Sequence, residues 1–124
     1  TFDQAIALTH AGTDARADGV HVRLLWQSLK SLPRDVTVFV HAYDAGGKLV
    51  TTGDGPPMGN NFPTSLWQGG DQVLDEHVLI LPNSPSLNDV QIKVGLYQPQ
   101  DGGRLPAMQN ATRLPDDAVV VWPR

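Results

Sequence analysis

Apolar and polar residues alternate along most of the chain, which is the period expected of half-buried β-strands. The pattern is clearest in residues 20–27 (VHVRLLWQ), 36–44 (VTVFVHAYD) and 90–98 (VQIKVGLYQ). No segment has a 3.6-residue period sustained over three helical turns, and no internal repeat is present. One face of these strands is apolar and is expected to form the core: Val22, Leu24, Trp26, Val38, Val40, Ile92, Val94 and Leu96.

Further strands are predicted in residues 2–8, 48–54, 72–81 and 118–123, while the turn-rich stretch 9–19 is expected to be a connection. About seven short alternating strands indicate antiparallel sheets, each with one solvated face. The sequence therefore predicts an all-β fold, a two-sheet sandwich of the immunoglobulin-like type with a jelly-roll-like arrangement as the alternative. At 124 residues it is expected to be one domain spanning residues 1–124.

Composition excludes several functional classes. The net charge is −4 with a pI of about 5.3, which argues against nucleic acid and against an anionic membrane surface as partners. There is no cysteine, so disulfides, thiol catalysis and thiolate metal sites are excluded. No apolar run approaches the roughly 20 residues of a membrane span. Because the chain begins at Thr1 without methionine, we expect a segment excised from a larger protein.

Residues 53–71 (GDGPPMGNNFPTSLWQGGD) form a long stretch without periodicity, and such loops are often functional. This loop carries aromatic and proline residues, so it is expected to pack against another part of the domain. The exposed face of the 36–44 strand is the natural partner, and the two together predict a shallow aromatic groove. The candidate ligand-binding residues of this groove are Phe39, His41, Tyr43, Asp54, Trp67 and Asp75.

Aromatic rings beside carboxylates suit carbohydrate, because a ring stacks on the apolar face of a sugar while the carboxylate accepts hydroxyl hydrogen bonds. The alternative is that the loop only buries its aromatic residues, with Trp67 as a structural plug. His41 and His77 could meet across strands with Asp75, but the histidine spacing announces no metal site, and no cofactor is expected. Catalytic motifs are absent, and a small hydrolase would need an aspartate pair such as Asp54 and Asp75.

Taken in order, several segments resemble a known domain: VRLLWQSL, PRDVTVFVHAYDAGGKLV, GDGPP, PTSLWQGGDQVLDEHVLILP and VQIKVGLYQPQDGGRLP. From about Phe2 to Pro106 the chain is similar to the soluble C-terminal domain of bacterial multi-pass membrane glycosyltransferases of the dolichyl-phosphate-mannose type. The recurring polar and aromatic positions of that domain fall here on His41, Asp54, Pro63, Thr64, Trp67 and Asp75. Ala42-Tyr43 and Gly70-Asp71 depart mildly from its pattern.

The resemblance implies a non-catalytic, extracytoplasmic β-sandwich tethered to the membrane portion of its parent protein, which would carry the sugar transfer. The expected function is that of an accessory domain that binds carbohydrate or a polyprenyl-linked glycan and does not itself insert into the membrane. The alternative function is a structural or protein-interaction spacer with no small-molecule ligand.

Overall fold

The structure is a computed structural model that describes residues 1–82 and 87–123. Nine strands lie in these two ranges: β1 (Ile6–Arg16), β2 (Gly19–Ser28), β3 (Thr37–Tyr43), β4 (Leu49–Thr52), β5 (Gln72–Leu79), β6 (Gln91–Tyr97), β7 (Met108–Gln109), β8 (Thr112–Arg113) and β9 (Val119–Trp122). The helical structure within the same ranges consists of short 3₁₀ turns at Pro57–Asn60, Thr64–Leu66, Leu87–Asp89 and Pro115–Asp117.

Two antiparallel sheets make the sandwich. One has three strands in the order β1-β2-β5, the other has four in the order β4-β3-β6-β9, and β7 and β8 form a small separate hairpin. The first, second and fifth strands thus lie in one sheet, and the third, fourth, sixth and ninth lie in the other. The predicted all-β, antiparallel two-sheet sandwich is confirmed.

The core lies between the inner faces of the two sheets. All eight positions predicted to face inward are fully buried: Val22, Leu24, Trp26, Val38, Val40, Ile92, Val94 and Leu96. The side chain of Phe2 joins them and meets the ring of Trp26 edge-on, with the ring centroids 5.7 Å apart. Close packing of these alternating side chains is the main source of stability, because each buried apolar side chain contributes about 1.5–3 kcal/mol relative to exposure.

The first strand corrects the sequence prediction. Residues 9–16 were expected to be a connection, but they belong to β1, which pairs with β2 over its whole length from Ile6–Ser28 to Arg16–Gly19. The prediction failed because small and polar residues resemble a turn locally, whereas the continuous ladder with β2 satisfies the backbone of this segment. Thr9 marks the one irregularity of this ladder, a register shift between Leu8 and His10.

The long segment 53–71 also differs from its prediction. Only its first residues follow β3, where Val38 and Gly55 exchange two backbone hydrogen bonds of 3.0 Å. The rest closes one end of the sandwich: the Thr64 hydroxyl accepts from the Val36 amide and donates to the Arg34 carbonyl, both at 2.9 Å. The loop therefore does not fold over the outer face of β3.

Candidate functional site: the outer face of the four-stranded sheet

The outer face of β3 points away from the core and lies beside β6. In this antiparallel pair Phe39 is opposite Gly95, and His41 is opposite Lys93. The glycine leaves space for the ring of Phe39 to lie across β6, since a Cβ at position 95 would stand 2.3 Å from the Phe39 ring. The register thus decides which aromatic side chains of this face are covered.

Phe39 is almost fully buried, which corrects the prediction of an exposed aromatic ring at this position. Its ring is only 1% exposed, with the Arg104 guanidinium 4.1 Å from the ring centroid. Arg104 is brought there by an isolated β-bridge to Tyr97, and its guanidinium also donates to the Asp116 carbonyl at 2.9 Å. The segment after β6 therefore folds back over Phe39, and the cation–π contact stabilises that cover.

His41, Tyr43 and Asp54 remain accessible at the edge of this cover. The side chains of His41 and Asp54 are 15% and 31% exposed, and His41 Nε2 lies 3.3 Å from Asp54 Oδ1. His41 Nδ1 lies 3.3 Å from the Tyr43 hydroxyl. Asp54 Oδ1 also accepts a hydrogen bond from the Val40 amide at 3.0 Å, which anchors the carboxylate to β3. The structure thus brings together four of the six predicted site residues, and the almost fully buried Phe39 lies beneath the other three, with its ring centroid 5.0 Å from that of His41.

Positive and negative charges alternate across this face. The Lys93 ammonium lies 5.4 Å from the centroid of the Tyr43 ring and 3.7 Å from Asp116 Oδ2. Arg104 and Asp54 supply one further charge of each sign. A ligand on this face would meet both forked donors and carboxylate acceptors beside aromatic rings.

A half-open cavity of about 190 Å³ lies at the centre of this face. Its lining residues are Phe39, His41, Asp54, Tyr97, Gly102 and Arg104. Since a liquid water molecule occupies about 30 Å³, the cavity has the volume of roughly six waters. It is smaller than the roughly 300–1,000 Å³ of typical small-molecule sites, so it suits the end of a larger ligand.

Asp75 lies inside the sandwich, which corrects a second predicted contact. It is 1% exposed and accepts hydrogen bonds from the Met58 amide at 2.9 Å and the Trp26 indole at 3.2 Å. His77 Nε2 lies 2.7 Å from Asp75 Oδ2, and His77 Nδ1 lies 2.9 Å from the Gly53 carbonyl. We call Trp26, Asp75 and His77 the interior cluster. Because side chains alternate along β5, Asp75 and His77 both lie on its core-facing side.

Trp67 is the third correction. It is 2% exposed and belongs to the core, where its ring packs against Phe62 with the centroids 6.2 Å apart. Its indole N–H donates to the Phe62 carbonyl at 2.8 Å. Burying this large ring at the end of the sandwich stabilises the fold, so Trp67 has no free face for a sugar.

The electrostatics of the interior cluster favour an ionised carboxylate. Burial alone would raise the pKa of Asp75, but the hydrogen bond and charge of His77, with the Met58 amide and the Trp26 indole, hold that pKa below its ordinary value. Of the possible meeting of His41, His77 and Asp75, only the contact between His77 and Asp75 occurs. His41 does not join them, because it points to the outer face. Asp54 and Asp75 do not form a pair in the cavity, since its lining includes only Asp54.

A second ionic group lies on the three-stranded sheet. His21 Nε2 is 2.7 Å from Asp18 Oδ1, and His21 Nδ1 contacts Glu76 Oε1. These two carboxylates raise the pKa of His21. Within residues 1–82 and 87–123, no three histidine, aspartate or glutamate side chains are grouped so that they could hold a metal ion. The role of this group is to fasten the β1–β2 turn to β5.

The sequence reasoning missed Tyr97, Gly102 and Arg104 as parts of the site. Tyr97 lies on the same outward side of β6 as Lys93, so the alternation along β6 could have identified it. Arg104 and Gly102 come from an irregular segment, which is held over β3 by the bridge between Tyr97 and Arg104 and by backbone hydrogen bonds from Gln98 to Gly103 and from Gly102 to Gln98. No local pattern in the sequence announces that contact.

Another cleft, of about 150 Å³, separates the edge strands β1 and β9. Leu8, Leu114 and Val119 line much of it. It is the more enclosed of the two, but its lining lacks the paired acid and base of the outer face. The outer face of the four-stranded sheet is therefore the stronger candidate.

No family model matches the chain, and no curated protein matches it. In the described part of the chain, no helix has the length and apolar character needed to cross a bilayer.

Proposed function

We propose that this chain is a non-catalytic binding domain that holds a glycan on the outer face of its four-stranded sheet. The observation that carries the proposal is the half-open cavity in which His41, Asp54, Tyr97 and Arg104 converge beside the partly exposed ring of Tyr43. Sugars require this combination, because their C–H faces stack on rings while their hydroxyl groups both donate and accept hydrogen bonds.

Asp54 and Arg104 have hydrogen-bonding capacity that their contacts with the other described residues do not use. Asp54 uses Oδ1 for the Val40 amide and for His41, and Oδ2 has no partner among the described residues. One N–H of Arg104 is directed to the Asp116 carbonyl, and a guanidinium has five such donors. A sugar with two neighbouring hydroxyl groups could donate to Asp54 and accept from Arg104 at once. The small cavity would take one terminal unit of a longer glycan.

The cellular setting is proposed from the resemblance alone. On that basis the domain would lie outside the cytoplasm, on the membrane portion of a glycosyltransferase-like parent that would carry the chemistry. A glycan-binding domain in that position would hold an acceptor or a polyprenyl-linked sugar near the enzyme. The acidic chain, with net charge −4, would not adsorb to an anionic bilayer surface by charge.

A spacer or protein-interaction domain is the second candidate, and one observation favours it. The recurring polar and aromatic positions that the resemblance singles out mostly serve the fold: Thr64 bonds two backbone groups, Trp67 is core, and Asp75 is buried. A spacer needs these interior contacts and no cavity. The two candidates differ in whether the outer face binds anything.

Calorimetric titration of the chain with a panel of bacterial cell-surface oligosaccharides, neutral and phosphorylated, tests the proposal. His41→Gln and Arg104→Ala should abolish measurable binding, since they remove a base and a forked donor from the cavity. His10→Gln and Arg23→Ala are matched controls on the exposed face of the other sheet, and they should bind as wild type. Absence of heat with the whole panel, or equal binding by all four variants, would favour the spacer.

A further inference from the structure

A second cavity adjoins the first on the outer face of the four-stranded sheet. It has a volume of about 260 Å³ and is lined in part by Lys93 and Val120, whereas His41 lines the first cavity. The register places Lys93 directly opposite both His41 on β3 and Val120 on β9. Opposite residues of antiparallel strands have Cβ atoms about 4.5–5.5 Å apart, so the two cavities meet at Lys93.

The second cavity differs in chemistry from the first. Its walls are mainly aliphatic and include Leu114, Pro115 and Val120. The exposed side chain of Gln109 supplies an amide, and Lys93 supplies the charge, while the described lining residues include no carboxylate. Together the two cavities reach the roughly 300–1,000 Å³ of typical small-molecule sites. The part of a ligand that the first cavity cannot hold therefore has a place beside it.

The Lys93 ammonium at this junction has unused donors. The side chain is only 22% exposed, yet within residues 1–82 and 87–123 the ammonium makes no hydrogen bond. Its nearest carboxylate oxygen, Asp116 Oδ2, is 3.7 Å away, which is beyond the 2.7–3.2 Å of an ordinary hydrogen bond. The ring of Tyr43, with its centroid at 5.4 Å, attracts the cation but accepts no such bond. An external acceptor can thus use three N–H groups.

Asp116 is a replaceable partner of this cation. Its side chain is 69% exposed, and an exposed ion pair of this length contributes little to stability. Asp116 is instead fastened through its backbone, because its carbonyl accepts from the Arg104 guanidinium at 2.9 Å. An anionic group of a ligand can take the place of the carboxylate at Lys93 and leave the Arg104 contact intact.

We propose that the outer face binds an anionic glycan of at least two units, with a phosphate or carboxylate group of the ligand held by the Lys93 ammonium. One unit occupies the cavity of His41 and Asp54, and the next lies over Lys93 in the second cavity. His41 separates the Asp54 carboxylate from Lys93, so Asp54 accepts sugar hydroxyl groups away from the ligand anion. The sugar part of this inference rests on the proposed function, whereas the anion site does not.

Inorganic phosphate tests the anion site without any sugar. Titration at constant ionic strength, followed by NMR, should give saturable shifts of the Lys93 ammonium and of the Ala118 amide, with no shift at Thr9 in the cleft between β1 and β9. Lys93→Gln should abolish the response. Lys48→Gln, in the exposed β3–β4 turn, is the control and should respond as wild type. Absence of a saturable shift at Lys93, or equal loss in both variants, would overturn the proposal.

Asp116→Asn should strengthen phosphate binding by about twofold to fivefold, because it removes the competing carboxylate and keeps the carbonyl for Arg104. Asp3→Asn is a matched control: Asp3 also pairs with an arginine, Arg34, and has a φ of 50° where Asp116 has 58°. Asparagine adopts this left-handed conformation as aspartate does, so both variants should fold. A gain of affinity equal to that of the control, or no gain, would contradict the replacement of Asp116.

Matched disaccharides then test the ligand class. For each sugar of the panel, a neutral, a phosphorylated and a uronic-acid form are compared by calorimetry. At least one anionic form should bind about fivefold or more tightly than the neutral form, and Lys93→Gln should remove the difference. The form preferred shows whether the anion is a phosphate or a carboxylate.

The outcomes separate this inference from the proposed function. Glycan binding without preference for an anionic form, or a preference that persists in Lys93→Gln, would overturn the inference and leave the glycan function intact. Phosphate binding at Lys93 in a chain that takes no disaccharide would contradict the proposed function and support the anion site.

Discussion

Two clusters of this domain are built from the same types of side chain. The interior cluster is Trp26, Asp75 and His77, and the outer-face cluster is His41, Tyr43 and Asp54. The first is closed off from solvent and the second is open to it. Inside, the indole of Trp26, the carboxylate of Asp75 and the imidazole of His77 bond to one another and to backbone. Outside, His41 and Asp54 contact each other at 3.3 Å beside an open cavity and retain unused hydrogen-bonding positions. An aspartate, a histidine and an aromatic ring hold the fold in one region and offer a surface in the other.

The difference shows that partners, rather than residue types, determine the role of a polar side chain. The polar atoms of Asp75 find donors from three elements, so they contribute to stability. Asp54 has one anchored oxygen and one without a partner among the described residues.

Asp75→Ala should cause the largest loss of stability, about 3–5 kcal/mol in the free energy of unfolding, because it leaves both the buried Trp26 indole and the buried His77 ring without their hydrogen-bond partner. Urea denaturation near neutral pH measures the loss. Asp101→Ala, in an exposed turn, is the control and should cost far less. The lowered pKa of Asp75 adds a second signature: its contribution is present above the ordinary value of 3.8 and is lost as pH falls through the lower, folded-state pKa. A cost equal to that of the control would contradict the interior role.

Trp67→Ala should lower the free energy of unfolding by about 3 kcal/mol or more, because it empties the end of the sandwich. Trp67→Phe keeps a ring and should cost less. Both variants, where folded, should bind oligosaccharide with the affinity of wild type, since the indole is far from solvent. Loss of binding in a fully folded Trp67→Phe chain would show that Trp67 contributes to the binding site.

Gly95→Ala should cost about 1–3 kcal/mol, because its Cβ would stand 2.3 Å from the Phe39 ring and 2.8 Å from the Asp117 carbonyl. The displaced ring should disturb the Arg104 contact and the cavity. Gly12→Ala is a matched strand control with nothing within 4 Å of the new Cβ, and it should change stability by less than about 0.5 kcal/mol. Thermal unfolding of both variants gives the comparison, and equal melting temperatures would contradict the proposed cover of Phe39.

His21→Gln should have the smallest effect on stability, visible as a change in pH dependence. Asp18 and Glu76 raise the pKa of His21, so its contribution is present below the ordinary value of 6.5 and is lost as pH rises through the raised pKa. Above pH 6.5 the free energy of unfolding of the variant should therefore fall less steeply with pH than that of wild type. Chemical denaturation at several pH values measures it, with His10→Gln as the control that should retain the wild-type slope.

The fold was predictable because alternation in β2, β3 and β6 identifies the inner faces directly. The extent of β1 was not, because Thr9–Arg16 has turn-like residues whose strand conformation depends on β2. The site was only partly predictable. The alternation along β3 shows that His41 and Tyr43 face away from the core. Which aromatic residue is covered depends on Gly95 and on the return of Arg104, and these long-range contacts leave no periodic signal.

The most direct measurement is a map of amide shifts in the ¹⁵N–¹H spectrum of the wild-type chain during titration with the oligosaccharide panel. The account predicts saturable shifts centred on Tyr43, Asp54, Tyr97 and Gly102, with the signals of Trp67, Asp75 and His77 unchanged. Shifts that centre on the interior cluster or on the cleft between β1 and β9, or no saturable shift at all, would contradict it.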